Sequence, residues 1–93
     1  MKNIINHIKH ILESDKYIVR VQQYNHQYDM VACKNKESYL IKILIGDEGD
    51  GYSELVNLAN TNGVIPLVIQ YDTSNNRISS VKNVLNSQYV SFG

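Results

Sequence analysis

Acidic, histidine and cysteine side chains are the groups in this 93-residue sequence that could hold a metal ion or act as a nucleophile. Three carboxylates, those of Asp47, Glu48 and Asp50, follow an apolar segment and could bind a cation. The segment departs from the calcium-loop pattern D-x-[DN]-x-[DN]-G, because Gly49 stands where that pattern requires a ligand. We therefore favour a solvated acidic loop over a cation site.

The histidines and the single cysteine lack the partners that their usual chemistry requires. His7 and His10 are three residues apart on a predicted helix, but a zinc site needs further ligands and none is evident. We predict that both are surface residues and that His26 lies in a turn. Cys33 has no histidine close to it in sequence and is predicted to be a small core residue. A single cysteine also excludes an internal disulfide.

Asp29 and Lys42 are charged residues in segments that are otherwise typical of strands. A lysine on an apolar strand is expected to pair with an acid or to extend its ammonium group to solvent. Because side chains alternate along a strand, Lys42 and Leu44 lie on the same face. We favour Asp29 as a turn cap or as the partner of Lys42; the alternative is a ligand-binding role.

Hydrophobic periodicity predicts the elements that carry these residues. Apolar residues recur at helical spacing near the N-terminus and again after the acidic loop, which predicts helices over residues 2–14 and 52–62. Four segments rich in β-branched and aromatic residues are typical of strands. These predicted strands are residues 17–24, 28–33, 38–45 and 65–71.

The connections between the predicted strands indicate how they pair. Residues 34–37 are typical of a tight hairpin turn, which makes the second and third strands antiparallel. The second helix permits a parallel crossover between the third and fourth strands. The sequence therefore predicts one α/β domain over residues 1–93, with a mixed sheet and the order α-β-β-β-α-β.

The last part of the chain is predicted to add a helix and a strand. Its apolar residues are spaced as in a short helix, and residues 88–92 could form an edge strand. The residues that suggest the helix are Ile78, Val81, Val84 and Leu85.

The net charge of the sequence is zero, because it has nine basic and nine acidic residues. A strongly basic nucleic-acid-binding protein would have a positive net charge. The distribution is uneven. Residues 1–45 carry seven basic and four acidic residues, and residues 46–93 carry two and five, so the two parts have net charges of +3 and −3. The asymmetry predicts either a basic and an acidic face or, once folding intermixes the residues, no such division.

The apolar segments predict neither a membrane span nor a secretory leader. None approaches the roughly 20 residues that a spanning helix requires. The N-terminal segment lacks the continuous apolar run and the small-residue cleavage site of a signal peptide. We expect a cytoplasmic protein, and the single cysteine agrees with that expectation.

The element order and two short motifs resemble the restriction-endonuclease-like nuclease superfamily, which includes restriction enzymes and archaeal Holliday junction resolvases. In its PD-(D/E)xK signature, an aspartate on the second strand is followed by Glu-x-Lys or Asp-x-Lys on the third. Residues 28–32, Tyr-Asp-Met-Val-Ala, are similar to the context of that aspartate, so Asp29 is the match. Residues 38–44, Ser-Tyr-Leu-Ile-Lys-Ile-Leu, are similar to the third strand, with Lys42 at the acid position and Leu44 at the lysine position.

The resemblance implies a nuclease-like core whose catalytic signature is largely lost. In such a site carboxylates hold Mg²⁺, which activates water and neutralises phosphate charge, and the lysine stabilises developing negative charge. An ammonium group at Lys42 would repel the cation, and Leu44 donates nothing. We expect no catalytic residue, no bound metal, an ion pair between Asp29 and Lys42, and no cleavage of DNA with Mg²⁺ or Mn²⁺.

A narrower resemblance is to the nuclease-like N-terminal domain of a family of archaeal helix-turn-helix transcriptional regulators. Its third strand is similar to residues 40–44, and it continues through an acidic-polar loop and a leucine-rich helix to a strand similar to residues 65–69. The helix-turn-helix domain itself has no counterpart in these 93 residues. Transcriptional regulation is therefore one candidate process among several.

Three functions are compatible with these observations. The favoured one is a non-catalytic nuclease-like module that binds DNA, RNA or a protein partner, including a second copy of the chain, without a cofactor. Its expected contacts with phosphate are the basic residues Arg20, Lys34, Lys36 and Lys42. Binding should be weak, independent of sequence and steeply salt-dependent, and changing Lys34 and Lys36 to glutamate should abolish it.

The two alternatives differ in their need for a metal. The first is an active nuclease, similar to a Holliday junction resolvase, in which Mg²⁺ would be held by Asp29 and by Asp47 or Glu48. The second is a structural subunit of a larger complex, in the way that some splicing-endonuclease chains support a catalytic partner. A metal titration separates the first alternative from the other functions.

Overall fold

The computed structural model describes residues 2–22, 28–45 and 53–90, which form two helices and six strands. In chain order the elements are α1 (Lys2–Ser14), β1 (Ile18–Val21), β2 (Met30–Lys34), β3 (Glu37–Ile45), α2 (Ser53–Asn62), β4 (Ile65–Asp72), β5 (Arg77–Asn83) and β6 (Gln88–Tyr89). The predicted α/β class is confirmed. Neither helix in the described ranges has the length and apolar character needed to cross a membrane.

All six strands belong to one mixed sheet, in which they follow one another in chain order from β1 to β6. Strands β1, β2 and β3 form an antiparallel meander, and β4, β5 and β6 form a second one. Between the two meanders, β3 and β4 are parallel, with Tyr39 opposite Ile65 and Ile45 opposite Tyr71. The predicted parallel pairing is therefore confirmed, and α2 is the crossover that makes it possible.

One helix packs on each face of the sheet. Because the side chains of a strand alternate between the two faces, the strands supply apolar residues to both. On the α1 face, Ile8 and Leu12 of the helix pack against strand residues; these include Met30, Ala32, Ile41, Ile43, Leu67, Ile69, Tyr71 and Val81. On the α2 face, Leu55 and Ala59 pack against three strand residues, which are Leu40, Leu44 and Val68. The apolar runs of β3 and β4 follow from burial on both faces.

Strand β5 replaces the short helix predicted from the apolar residues after position 76, and that prediction was wrong. Ile78 and Val81 are three residues apart, a spacing that is typical of a helix. In the sheet, Ile78 lies opposite Tyr71 and Val81 opposite Ile69, with a bulge between Gln70 and Tyr71. The bulge adds one residue on β5, so that both apolar side chains pack against the α1-face core despite their odd spacing.

The hairpin between β2 and β3 has the tight turn that its sequence predicts. Asn35 and Lys36 both have positive φ, 54° and 68°, as a two-residue type I′ turn requires. Strand β1 is shorter than predicted, and β2 begins two residues later than predicted. His26, predicted to lie in a turn before β2, falls outside the described residues.

Candidate functional site

Asp29, which resembles the first catalytic acid of the nuclease superfamily, is bonded to the backbone of β3. Its Oδ2 accepts the N–H of Ile43 at 2.7 Å, and its own N–H donates to the carbonyl of Ile41, also at 2.7 Å. The N–H of Gln22 donates in turn to the Asp29 carbonyl at 3.0 Å. These contacts continue the strand pairing beyond the start of β2, which gives the side chain a structural task.

Lys42, which the motif resemblance matches to the second acid of the superfamily, lies on β3. It is half-buried on the α2 face, because its neighbours Ile41 and Ile43 point into the α1-face core. The paired register of β2 with β3 ends at Met30, which lies opposite Ile41, and the Asp29 N–H bonds to the carbonyl of that same Ile41. Asp29 is thus bonded to the backbone of Ile41 and Ile43, the two residues that flank Lys42. The ion pair between Asp29 and Lys42 stays a prediction.

Leu44, at the position that resembles the catalytic lysine, is part of the core. Its side chain is only 7% exposed and packs in the same cluster as Leu55 and Ala59 of α2. A lysine there would have to place its charge between β3 and the helix, at a large desolvation cost. The local packing thus favours leucine for a reason that is independent of catalysis.

The other residues predicted to contact phosphate are Arg20, Lys34 and Lys36, and they differ in exposure and in their contacts within the protein. The ammonium group of Lys34 lies 3.2 Å from a carboxylate oxygen of Asp15 and 4.8 Å from the centre of the Tyr17 ring. Lys34 therefore joins the end of α1 to the β2–β3 hairpin. Arg20 and Lys36 are exposed, the first on β1 and the second in the hairpin turn. Arg20 points to the α2 face, because the preceding Val19 is in the α1-face core.

Tyr17, which lies beside Lys34, and its neighbour Tyr39 are both held in their neutral form. Burial, followed by a 2.9 Å hydrogen bond to Glu37, raises the pKa of Tyr39 to about 12. Burial also raises the pKa of Tyr17, although the charge of Lys34 opposes the shift. The two rings meet edge to face at 5.8 Å between centres. Neither phenol is placed to act as a base at neutral pH, so this cluster is a packing feature of the hairpin.

The remaining histidines and the cysteine are placed as follows. His10 is exposed, as predicted. His7 is exposed too, but its Nδ1 lies 2.6 Å from the hydroxyl of buried Tyr71, a contact that the sequence did not indicate. Cys33 is half-buried, with its sulfur 3.4 Å from the Ser38 hydroxyl, so its assignment to the core was wrong.

Metal ligands do not cluster in the part of the chain that the structure describes. No group of three or more histidine, cysteine, aspartate or glutamate side chains is arranged there to hold an ion. The predicted alternative ligands Asp47 and Glu48, together with Asp50, lie outside the described residues.

A groove that the sequence did not indicate opens on the α2 face between β4, β5 and β6. Its volume is about 190 Å³, and Lys82 is the charged residue in its lining. Lys82 lies opposite Tyr89 in the β5–β6 pairing, and its Nζ is 5.8 Å from the centre of that ring. The interpretation of residues 78–85 as a helix concealed this arrangement, because only a strand places Lys82 beside Tyr89.

The chain has no significant match among protein-family models, curated proteins or solved structures. The likeness to nucleases therefore rests on the element order and on the motifs around Asp29 and Lys42.

Proposed function

We propose that this protein is a non-catalytic, nuclease-like domain that binds nucleic acid. The observation that supports the proposal is the sequence of β3, in which Lys42 and the buried Leu44 occupy the positions matched to the acid and the lysine of Glu-x-Lys. An ammonium group replaces a metal-binding carboxylate, and an apolar side chain replaces the lysine that would stabilise negative charge. The Asp29 oxygen bonded to the Ile43 N–H serves the sheet instead of a cation.

The distribution of basic residues on the α2 face supports nucleic acid as the partner. Arg20 on β1, Lys42 on β3 and Lys82 on β5 all point to this face, one on every second strand. Neighbouring strands are about 4.8 Å apart, so the three positions are spaced across the sheet at intervals of about 10 Å. A row of cations suits a phosphate backbone, which binds proteins mainly through its charge.

Fluorescence anisotropy with labelled duplex DNA and with a single strand of the same length tests this function. We expect weak binding that is independent of sequence. With two or three phosphate contacts to duplex DNA, log K should fall against log salt with a slope of about −2 to −3. Arg20→Gln should reduce that slope by about 0.9.

Two control variants make the test specific to the α2 face. Lys9→Gln removes one charge from α1, on the opposite side of the sheet, and should leave the slope unchanged. Lys34 is a poor probe, since Lys34→Glu would set two carboxylates against each other at Asp15. Lys36→Gln changes an exposed residue instead and should weaken binding if the hairpin turn contacts phosphate. Absence of binding at low salt would contradict the proposed function and favour a structural subunit.

A further inference from the structure

The groove on the α2 face begins at residues that α2 packs against, Leu44 and Val68, and continues over strands that the helix does not cover. The helix packs against β3 and β4, whereas the groove extends over β4 and β5 to the edge strand β6. Its lining combines an apolar floor with polar side chains; the residues are Leu44, Val68, Gln70, Ser80, Lys82, Val84 and Tyr89. Such a mixture suits a small ligand that has a flat apolar part and a negative charge.

Tyr89 offers a flat aromatic surface at the mouth of this groove. It is 72% exposed on a strand of two residues, so core packing does not explain its ring. An exposed aromatic side chain next to a cation is the arrangement by which proteins bind single-stranded nucleic acids, with bases stacked on rings and phosphates bound to basic groups. Lys82, the cross-strand neighbour of Tyr89, supplies that cation.

We propose that the groove binds one nucleotide unit of a single-stranded nucleic acid, with its base stacked on Tyr89 and its phosphate bound by Lys82. This inference rests on the proposed function and makes it specific. The Lys82 Nζ lies over the Tyr89 ring, 5.8 Å from its centre, so a base stacked on that ring has an ammonium group close by for its phosphate. Gln70 and Ser80, in the same lining, provide an amide and a hydroxyl for the edge of the base or for the sugar.

The geometry favours a single strand over a duplex and over a free nucleotide. In a duplex every base except those at the two ends is stacked on both faces, so no internal base can stack on the ring of Tyr89. A free nucleotide could enter the groove, but it would lack the further phosphates that can contact Arg20 on the same face. Only a strand with several phosphates can place one nucleotide in the groove and still reach other basic residues of this face.

A comparison of ligands tests the inference without any change to the protein. We would measure the binding of a short oligothymidylate, an abasic strand of the same length, the matching duplex and thymidine monophosphate by anisotropy or competition at constant salt. The oligothymidylate should bind at least about fivefold more tightly than the abasic strand, the factor expected from one weak base–aromatic stack. Equal affinity for the two strands would overturn the stacking role. Preference for the duplex, or a monophosphate that competes as well as the oligomer, would overturn the assignment to a single strand.

Substitutions at the groove then locate the contacts. Tyr89→Ala should weaken oligothymidylate binding at least about fivefold without changing the salt slope, and Tyr89→Phe should keep wild-type affinity because stacking needs only the ring. Lys82→Gln should reduce the slope by about 0.7, the value of one phosphate contact to a single strand. The matched controls Leu85→Ala, an exposed apolar residue outside the groove lining, and Lys9→Gln should change neither quantity.

The outcomes separate this inference from the function on which it rests. If wild-type protein binds strands, and binding responds to Arg20→Gln but not to Tyr89→Ala or Lys82→Gln, the groove assignment is wrong while the proposed function stands. If wild-type protein binds no nucleic acid at low salt, the proposed function itself is wrong. Thermal melting of each variant confirms that it is folded, and the abasic-strand comparison decides the stacking role even if one variant does not fold.

Discussion

Replacing Asp29 tests whether its carboxylate serves the fold or a reaction. The Asp29 Oδ2 accepts the N–H of Ile43 at 2.7 Å, and Ile43 is only 3% exposed. In Asp29→Ala this N–H loses its acceptor, and a buried donor without a partner costs about 1–3 kcal/mol. Because Asp29 is half-buried, we expect the free energy of unfolding to fall by about 2 kcal/mol, the middle of that range.

The matched variant Asp29→Asn isolates the hydrogen bond from the charge. Its amide oxygen can accept the same N–H, so the loss should stay below about 1 kcal/mol. Urea unfolding followed by circular dichroism measures both variants. Glu13→Ala, which removes an exposed carboxylate from α1, should change stability by no more than about 0.5 kcal/mol. Equal losses for the alanine and asparagine variants, or no loss for alanine, would refute the structural role.

A double-mutant cycle with Lys42→Met measures the predicted ion pair. If Asp29 and Lys42 are paired, their combined loss should be smaller than the sum of the single losses by more than about 0.5 kcal/mol. A fully buried pair would lose about 3–5 kcal/mol when one partner is removed. Both residues are half-buried, so a smaller loss is expected here. Additive losses would show that Lys42 contributes independently of Asp29.

Three further changes test separate parts of the structure. Lys16 has a φ of 70° in the turn that ends α1, at the position where α2 has a glycine. A non-glycine residue in this conformation costs about 1–2 kcal/mol, and the greater backbone entropy that glycine loses on folding offsets part of that gain. Lys16→Gly should therefore raise the free energy of unfolding by about 0.5–1 kcal/mol, as measured by thermal melting. The double variant Lys42→Glu with Leu44→Lys should bind Mn²⁺ more tightly than wild type in calorimetry. It should also unfold more easily, because the new lysine places an ammonium group against α2. Tight Mn²⁺ binding by the wild-type protein would instead indicate an active site. The Tyr39 phenol should titrate near pH 12 when followed by ultraviolet absorbance, and Glu37→Gln should lower that pKa. Because the pKa in the folded state lies above the ordinary value of 10.0, the free energy of unfolding should fall as the pH rises from about 10 towards 12.

The central part of the fold was predictable because its signals are local and agree with one another. The apolar runs of β3 and β4, 10-residue α2 between them and the turn at Asn35 and Lys36 each favour a single conformation. A helix that joins two buried strands also permits their parallel pairing, because parallel neighbours need a crossover connection. The α/β class follows from these elements alone.

Strand β5 could not be predicted because its periodicity depends on a partner. The extra residue between Ile78 and Val81 makes sense only opposite the bulge at Gln70 and Tyr71, and a sequence pattern carries no information about that register. The groove could not be predicted either, because β5 forms part of it. Lys82 and Tyr89 are seven positions apart, and only the β5–β6 hairpin makes them neighbours.

The charge on Lys34 shows a different limit of sequence reasoning. Its basic side chain suggested a phosphate contact, but Asp15 and the Tyr17 ring already engage it in the folded chain. These two residues follow α1 and are nearly twenty positions away, so the charge of Lys34 can be assigned only once the helix packs beside the hairpin. Composition counts charges, whereas a binding surface depends on which of them remain available after folding.

Binding by the Asp29→Asn variant connects the structural role of this residue to the proposed function. The variant keeps the acceptor for the Ile43 N–H and removes the negative charge of a carboxylate that is bonded beside Lys42, a residue of the α2 face. If that face contacts phosphates, loss of the carboxylate should strengthen binding at low salt or leave it unchanged, because a nearby anion opposes a polyanion. A nuclease that needed Asp29 to hold Mg²⁺ would instead lose metal-dependent affinity and cleavage. Measuring stability, affinity and cleavage on this one variant therefore distinguishes a binding domain, whose acid supports the sheet, from an enzyme, whose acid holds a metal.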